Sequence, residues 1–334
     1  MKKTMILVIC LALTVILITG CSTSSSSGIP RVSYWASMDS GVTANLHGVV
    51  FENTTTAYVC GDNGTILKTT DAGETWVLLN TDTTKNLKDI ESEGNTVWAC
   101  GEDATLIRSD DAGQTWQDVT LENHSGRTED LYSIVAIEYP RIFISGEDGT
   151  MLFSSDGGIT WAHQQTGTTA TLYRVVNPYE NNAVAVGGNG TILVTHNDGT
   201  NWTQASSGVT VNLYEVGGFA NDPQDRDFWA CGDTGTIIHM NHGDENWTAQ
   251  VSGTTENLYD IRFADMQFGL ACGAKGTMIN TVDGGNNWNE QFVDVQTDIN
   301  ALNGPWGQKK LFLAVGDNGI ILKTLTGGNA TTEE

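Results

Sequence analysis

The stretch of sequence that decides the fold is Gly61–Trp76, which reads GDNGTILKTTDAGETW. Its opening GDNG combines residues that accept a positive φ with residues that form local Asx hydrogen bonds, as a tight hairpin requires. The TILKT run that follows has the β-branched and aliphatic residues of a short strand. A second turn, TDAGETW, begins at once and ends on a tryptophan. The stretch therefore predicts a hairpin, a strand and a second turn in immediate succession.

This unit recurs along the whole chain. A Gly-x-x-Gly-Thr pattern starts at Gly61, Gly101, Gly146, Gly187, Gly232, Gly273 and Gly316, with Ala104 and Ile320 as the two departures from it. Tryptophans keep the same spacing at Trp76, Trp116, Trp161, Trp202, Trp247 and Trp288. A leucine or isoleucine, which we call the landmark residue, precedes each unit at Leu46, Leu87, Leu131, Leu172, Leu213, Leu258 and Ile299. A fixed period of about 40 to 50 residues is typical of repeat architectures. The order of the three markers predicts seven copies of one unit.

Each copy divides into four short β runs. The first carries the landmark residue, the second ends before the Gly-x-x-Gly turn, the third is the TILKT run, and the fourth contains the tryptophan. The seventh copy lacks its fourth run, whereas residues 32–37, with Trp35, supply such a run at the other end of the chain. The sequence thus predicts an all-β, seven-bladed β-propeller of four-stranded antiparallel blades, closed by an N-terminal strand that completes the last blade. Closure of this kind protects free sheet edges.

The turn before each tryptophan follows the pattern Ser/Thr-x-Asp-x-Gly-x-x-Trp, known as the Asp box or BNR repeat. We expect the carboxylate to accept N–H groups of its turn, the glycine to be left-handed and the tryptophan to pack between blades. The copy around His242 keeps little beyond Trp247. The Asp box is therefore predicted to be a folding device rather than a catalytic one. Its acidic or amide positions are Asp71, Asp111, Asp156, Asn197 and Asp283.

The N-terminus has the features of an export signal. Lys2 and Lys3 precede an apolar run over 5–18, which is shorter than the roughly 20 residues of a membrane span. The run ends LITGC, which resembles the lipobox of bacterial lipoproteins, with Cys21 as the lipidated residue. The alternative is an ordinary secretory signal. We expect a signal peptide at 1–20, a Ser-rich tether at 21–31, the propeller at 32–327 and a tail at 328–334. This predicts an exported protein, lipid-anchored to the cell membrane or outer membrane on the periplasmic or extracellular face.

The net charge of the chain excludes one class of partner. The chain has 16 Lys and Arg against 40 Asp and Glu, a net charge of −24. Nucleic acid is therefore not an expected partner, because phosphate binding needs a cationic surface.

Four cysteines each precede a glycine at the same repeat position. We therefore expect these cysteines to be small buried residues that lie too far apart to form disulfides. They are Cys60, Cys100, Cys231 and Cys272.

The lipobox, the seven Gly-x-x-Gly turns and the Asp boxes together resemble the photosystem II assembly-factor family of BNR propellers and its relatives in non-photosynthetic bacteria. The resemblance covers about residues 31–327. It implies a scaffold-like envelope protein, since photosynthetic members act as chaperone-like scaffolds for a new membrane subunit and carry an arginine-rich face. In this chain the seven arginines are scattered over different repeat positions: 31, 108, 127, 141, 174, 226 and 262.

Positions that vary between copies indicate where a ligand could bind. The first residue after the landmark is a tyrosine in four copies, and the second residue varies in charge and size. Innermost strands line a propeller's channel, so one of these two positions is expected to border it. The candidate partner-binding face consists of Tyr132, Tyr173, Arg174, Tyr214, Glu215, Tyr259 and Asp260. The alternative is that the tyrosines belong to the repeat core, with their hydroxyls at the rim.

No motif of an enzyme accompanies the repeats. Walker, Gly-x-Ser-x-Gly and His-Glu-x-x-His sequences are absent, as is the Arg-Ile-Pro signature of sialidases. His239 and His242 alone are too few for a metal site. We predict a monomeric, non-catalytic envelope lipoprotein without cofactor or metal, acting as an assembly-factor-like scaffold for an unidentified envelope protein. The alternative is a carbohydrate-binding or glycan-processing, glycosidase-like lipoprotein.

Overall fold

The computed structural model describes residues 33–121, 128–137, 140–179, 181–222, 225–241, 246–305, 308 and 310–328. Within these residues the strands form seven sheets, each of four antiparallel strands. The innermost strand of each sheet contacts the innermost strands of the two neighbouring sheets. The innermost strands of the first and last sheets also contact each other, so the seven sheets form a ring. The predicted seven-bladed propeller is confirmed.

The blades are numbered along the chain, from the innermost strand outward. Blade 1 has β2 (Leu46–Phe51), β3 (Ala57–Gly61), β4 (Ile66–Thr69) and β5 (Val77–Leu79), and blade 2 has β6 (Leu87–Glu93), β7 (Thr96–Gly101), β8 (Leu106–Ser109) and β9 (Gln117–Asp118). Blade 3 has β10 (Leu131–Ile137), β11 (Arg141–Gly146), β12 (Met151–Ser154) and β13 (Ala162–His163), and blade 4 has β14 (Leu172–Tyr179), β15 (Asn182–Gly187), β16 (Ile192–Thr195) and β17 (Thr203–Ala205). Blade 5 has β18 (Leu213–Asp222), β19 (Asp225–Gly232), β20 (Ile237–Met240) and β21 (Thr248–Gln250), and blade 6 has β22 (Leu258–Phe263), β23 (Gly269–Gly273), β24 (Met278–Thr281) and β25 (Asn289–Glu290). Blade 7 has β26 (Ile299–Asn303), β27 (Phe312–Gly316), β28 (Ile321–Thr324) and, as its outer strand, β1 (Ala36–Met38).

The ring closes through the N-terminal strand, as predicted, but with different bounds. The outer strand is β1, Ala36–Met38, which pairs antiparallel with β28, whereas the sequence placed it at 32–37. Trp35 precedes the strand because its indole turns into the core, where Nε1 donates a hydrogen bond to Gln291 Oε1 at 2.8 Å. The six other tryptophans of the repeat likewise precede the fourth strand of their blade rather than lying within it.

The core lies between blades rather than within them. Each apolar cluster joins residues of two neighbouring blades, as where Leu46 and Val59 of blade 1 pack with Val315 of blade 7. The second strand of a blade is buried on both faces, which explains the small residues before the hairpin glycine. All four cysteines are buried there and form no disulfide. Their thiols face the next blade, as in the 3.5 Å contact from Cys231 Sγ to the Leu258 carbonyl.

Backbone crowding accounts for the repeated hairpin glycine. A Cβ on Gly232 would lie 1.9 Å from the carbonyl oxygen of Asn212, which no side chain could tolerate without backbone movement. The Asn or Asp before the landmark residue joins neighbouring blades by accepting a hairpin N–H. Thus Asn86 Oδ1 accepts from Asn63 N at 2.8 Å. Asn45 Oδ1 accepts from Asn318 N at 3.0 Å and ties blade 7 to blade 1.

Each Asp box is held by its own side chains. In blade 1, Asp71 Oδ1 accepts from Thr69 Oγ1 at 2.7 Å and from Thr75 N at 2.9 Å, while Asp71 Oδ2 accepts from Thr75 Oγ1 at 2.6 Å. Gly73 sits at φ +87° and donates its N–H to Thr69 Oγ1. The same arrangement recurs, with an amide in one copy, at Asp111, Asp156, Asn197 and Asp283. These side chains close the turn that precedes the fourth strand.

Replacing Asp71 with Ala is expected to lower the melting temperature at pH 7 and to matter much less near pH 2. The hydrogen bonds from Thr75 and Thr69 hold the pKa of Asp71 down at about 2. A carboxyl whose folded pKa is lowered stabilises the fold above its unfolded value and loses this effect as the pH falls through the folded pKa. Thermal unfolding followed by circular dichroism at both pH values would measure the difference. Asp118→Ala, on the exposed strand β9, is the control; equal effects of the two substitutions would contradict the assigned role.

Candidate functional site

A β-bulge at the start of every innermost strand shapes the channel. In blade 1, Leu46 faces Gly61 and Gly48 faces Cys60, so that His47 is an extra residue in its strand. The same register shift follows the landmark residue in all seven blades. A bulge changes the direction in which neighbouring side chains point. Residues of both positions after the landmark therefore line the channel cavity, whereas the sequence predicted that only one position would do so.

The cavity has a volume of about 310 Å³ and is lined by residues of the innermost strands. All seven residues of the candidate partner-binding face contribute to it: Tyr132, Tyr173, Arg174, Tyr214, Glu215, Tyr259 and Asp260. His47, Lys88 and Asn300 occupy the tyrosine position in the other three blades and also line it. The structure thus brings the sequence-selected residues together in one place.

The four tyrosines, which we call the tyrosine arc, form a continuous row over blades 3 to 6. Successive ring centroids are 5.3, 5.1 and 5.7 Å apart, in edge-on or tilted contact. The hydroxyl of Tyr214 donates to Asp233 Oδ1 at 2.7 Å, and that of Tyr259 donates to Asp298 Oδ2 at 3.1 Å. Burial, with a smaller effect of nearby carboxylates such as Glu147, raises the pKa of Tyr132 to about 12. The arc is half-buried, so its rings remain partly accessible.

Deeper charged residues form what we call the channel ion-pair network. Arg174 lies 2.7 Å from Asp89 and 3.1 Å from Glu215. Arg262 lies 3.5 Å from Glu215 and 3.1 Å from Asp260. The two guanidiniums therefore connect carboxylates of blades 2, 5 and 6 across the channel. Removing one partner of a buried ion pair is costly, because the other charge is then left without compensation.

Two members of this network also hold neighbouring blades together. Asp89 Oδ2 accepts the backbone N–H of Ile134 at 3.0 Å, and Asp260 Oδ2 accepts that of Leu302 at 2.9 Å. The side chain of Asp260 is only 3% exposed. Within the candidate face, the charged residues thus have a structural role, whereas the tyrosines offer accessible surface.

Beyond the two positions after the landmark residue, sequence reasoning missed two charged residues of the cavity, Arg262 and Glu91. Each lies two positions after a charged residue of an innermost strand, Asp260 or Asp89, and so points to the same face of the sheet. That spacing was the signal that could have identified them. Glu91 has no ion pair within the described part of the chain, and its Oε1 accepts only the adjacent Ser92 N–H at 3.0 Å. Burial, followed by the nearby charge of Asp89, raises its pKa to about 8.

Replacing Glu91 with Gln is expected to stabilise the protein at pH 9 and to have little effect near pH 4.5. Because the folded pKa lies above the unfolded value of 4.5, the native state retains a proton that the unfolded chain has lost. The favourable contribution of the protonated carboxyl is present below pH 4.5 and is lost as the pH rises through about 8. We expect a gain of about 1–3 kcal/mol at pH 9 from urea unfolding. A variant no more stable than wild type at pH 9 would contradict this interpretation.

Other sequence candidates lie elsewhere. His239, on β20, stacks on Trp229 at a centroid distance of 4.5 Å and lies 3.2 Å from Asp227. His242 lies outside the described residues, as do Cys21, the signal peptide at 1–20 and the tether at 21–31. In the described part of the chain, no group of three or more His, Cys, Asp or Glu side chains has the arrangement of a metal site. No helix in that part is long and apolar enough to cross a membrane.

Comparison with known proteins points to one family. The family model described as photosynthesis system II assembly factor YCF48 matches residues 28–139 and 240–333, which together exceed half of the chain. A second model, the DUF6242 beta propeller domain, matches residues 94–214. No curated protein matches the chain.

Solved structures agree on the fold. YCF48 from Cyanidioschyzon merolae is 18% identical with a TM-score of 0.73, and the match covers 89% of this chain and 99% of that one. A structure described as YCF48 bound to D1 peptide is 21% identical with a TM-score of 0.73, covering 90% and 100%. The GH74 xyloglucanase from Xanthomonas campestris is 14% identical with a TM-score of 0.68, covering 90% and 55%. At these identities the likeness to the solved structures shows the fold alone.

Proposed function

Because the chain belongs to the family of the photosynthesis system II assembly factor YCF48, we propose that it is a non-catalytic scaffold that binds a protein partner at the mouth of its channel. The observation that carries the proposal is the tyrosine arc, a row of half-buried aromatic rings beside a cavity. Tyrosine is enriched at protein interfaces because it combines a large apolar area with a polar hydroxyl. A YCF48 structure described as bound to D1 peptide supports a peptide or protein segment as the ligand class.

The partner of this chain need not share the chemistry of a photosystem subunit. Among the arginines whose side chains the structure describes, Arg174 and Arg262 lie in the channel. Arg108 stacks on Trp98 and pairs with Asp110, while Arg141 pairs with Asp198. Arg174 and Arg262 thus share the channel, whereas Arg108 and Arg141 lie elsewhere, so the four arginines do not form one continuous face. The proposed partner is an envelope protein recognised by aromatic and acidic groups rather than by an arginine-rich face.

We further propose that the scaffold is a monomeric lipoprotein, exported and anchored to the membrane through acylated Cys21. The LITGC sequence, followed by a serine-rich segment, supports the anchor. A durable attachment needs more than one acyl chain, which lipoprotein processing supplies. Metabolic labelling with a clickable palmitate should mark wild type but not Cys21→Ala, and the variant should leave the membrane fraction. Equal labelling of both proteins would refute the anchor.

Carbohydrate binding or processing is the second candidate function, favoured by the presence of tyrosines and carboxylates in one cavity. Three of those carboxylates, however, are engaged by the two arginines of the ion-pair network. A glycosidase needs one carboxyl group as acid and another as nucleophile or base. Retention on a polysaccharide array, with loss in Tyr173→Ala, would favour this candidate.

Cross-linked co-purification tests the scaffold. The native lipidated protein is cross-linked in cells, isolated in mild detergent, and its partners are identified by mass spectrometry. We expect one protein partner whose recovery falls at least tenfold in Tyr173→Ala/Tyr214→Ala but not in Val77→Ala/Leu78→Ala, an exposed control pair on β5. Equal recovery with both variants would show that the tyrosine arc is not the binding surface. Arg174 and Asp260 are unsuitable for this test because their loss would also weaken the fold.

A further inference from the structure

One exposed position of the repeat changes character between blades. It is the residue that directly follows the third strand, and it is exposed in all seven blades. In blades 6 and 7 it is Val282, 59% exposed, and Leu325, 61% exposed. In blades 1 to 5 it is polar: Thr70, Asp110, Ser155, His196 and Asn241. Two neighbouring blades therefore present aliphatic side chains to solvent where the other five present polar ones.

The same two blades adjoin the place where the N-terminal segment joins the propeller. Tyr34, 39% exposed, directly precedes the buried Trp35. Gln291 of blade 6 accepts a hydrogen bond from Trp35 Nε1 at 2.8 Å and donates one to the carbonyl of Gly327 at 3.0 Å. Gly327 lies in the turn that contains Leu325. Tyr34 is therefore held near the aliphatic position of blade 7, at the end of the blade that carries this turn.

Tyr34, Val282 and Leu325 form what we call the apolar rim. Lys310 is exposed and lies next to it, since its carbonyl accepts the N–H of Gly327 at 2.9 Å. Aromatic and aliphatic side chains of a peripheral protein enter the boundary between lipid headgroups and acyl chains, and basic side chains are attracted to anionic headgroups. Lys310 places a positive charge at this rim of an otherwise acidic chain. The chemistry of the apolar rim therefore fits a bilayer surface.

We infer that the apolar rim lies against the membrane surface, with the tyrosine arc on the side of the propeller that faces away from it. The inference rests on the proposed function in one respect, namely that acylated Cys21 anchors the chain. The segment from Cys21 to Ser33 can span at most roughly 40 Å. Because this segment joins the propeller beside Tyr34, the anchor brings the apolar rim within reach of the bilayer.

The tyrosine arc lies at the opposite end of the blades. Each landmark residue pairs with the hairpin glycine of its blade, as Leu213 does with Gly232, and the tyrosines of the arc directly follow landmark residues. The third strand runs from this hairpin to the turn before the fourth strand, so the hairpin and the apolar rim lie at opposite ends of it. A propeller seated on its apolar rim therefore leaves the mouth of the channel open to a partner segment outside the bilayer.

The test is quenching of a fluorescent label by nitroxide lipids, measured on the full-length lipidated protein in vesicles of phosphatidylethanolamine and phosphatidylglycerol. A bimane label is attached through Val282→Cys or Leu325→Cys and, as matched controls, through Thr70→Cys or Ser155→Cys at the same position of blades 1 and 3. The cysteines of the blades are buried, which protects them from the label. We expect quenching at positions 282 and 325 to be about threefold that at positions 70 and 155.

A double variant, Val282→Asp/Leu325→Asp, should lift the apolar rim from the bilayer while the acyl chains keep the protein on the vesicles. Its readout is a bimane label attached through Tyr34→Cys, whose quenching should fall about threefold. Thr70→Asp/Ser155→Asp adds the same two charges to blades 1 and 3 and should leave quenching at position 34 unchanged. All four substituted side chains are exposed, so both variants should keep the fold.

The outcomes separate the inference from the proposed anchor, because the mass of the intact protein reports acylation independently. Equal quenching at all four positions, or none at any, in acylated protein that sediments with the vesicles would overturn the inference and leave the anchor intact. Quenching at positions 282 and 325 in protein without acyl chains would support the apolar rim and refute the anchor. Protein without acyl chains that does not bind the vesicles would refute both. A dimer in detergent that Val282→Asp/Leu325→Asp dissociates would assign the apolar rim to a second copy of the chain and overturn the membrane contact.

Discussion

A chain that begins at Ser40 is expected to lose the closed ring and to be destabilised more than any of the single-residue variants. It lacks Trp35, which is only 5% exposed, and β1, which pairs with β28. Removing a buried tryptophan side chain costs about 3–5 kcal/mol. The lost strand pairing and the Trp35–Gln291 hydrogen bond add to this cost. Loss of β1 also leaves the edge of β28 unpaired, which favours association between chains.

The comparison is between chains that begin at Ser33 and at Ser40, both produced without the export signal. Urea unfolding and size-exclusion chromatography should show a much lower midpoint and self-association for the shorter chain. Trp35→Ala in the longer chain isolates the tryptophan and should cost about 3–5 kcal/mol. Equal midpoints and a monodisperse shorter chain would mean that β1 does not close the propeller.

Arg174→Met is expected to destabilise the protein by about 3–5 kcal/mol, because it leaves buried carboxylates without their cation. Asp89 loses its guanidinium partner at 2.7 Å, and Glu215 retains only the longer contact with Arg262. Burial already raises the pKa of Glu215 to about 7 even with both arginines nearby. Without Arg174, we expect Glu215 to hold its proton still more strongly.

Urea unfolding at pH 7 measures this cost, and two variants make the result specific. Adding Asp89→Asn to Arg174→Met should recover part of the lost stability, since it removes one buried charge that has no partner. Lys85→Met, which breaks an exposed pair with Asp103, should change the midpoint little. If Arg174→Met were as mild as Lys85→Met, the channel network would not contribute to stability.

The number of blades and the closure of the ring were predictable because their signals are local. The hairpin glycine marks a close backbone approach, and the tryptophan marks an interblade contact, so counting them counts blades. The exact start of the fourth strand was harder to predict from the sequence, since the side chain of Trp35 must turn inward before strand pairing can start. The burial of the cysteines also followed from their repeated position before glycine, and the structure confirms it.

The candidate site was predictable as a set of positions but not as a set of contacts. The bulge after each landmark residue leaves no mark in the sequence, yet it brings a second position into the cavity. The ion pair between Arg174 and Asp89 joins residues of blades 4 and 2. Such a contact depends on the curvature of the whole ring. For the same reason, the only sign of the ion pairs of Arg262 in the sequence was its two-residue spacing from Asp260.

The most direct test of partner binding at the channel mouth is photo-cross-linking in living cells from single positions of the full-length protein. A photoreactive phenylalanine is placed at Tyr173, in the tyrosine arc, or at Leu78, on the exposed outer strand β5. We expect one discrete protein adduct from position 173 and none from position 78. Adducts from both positions alike, or a protein adduct from position 78 only, would contradict partner binding at the channel mouth.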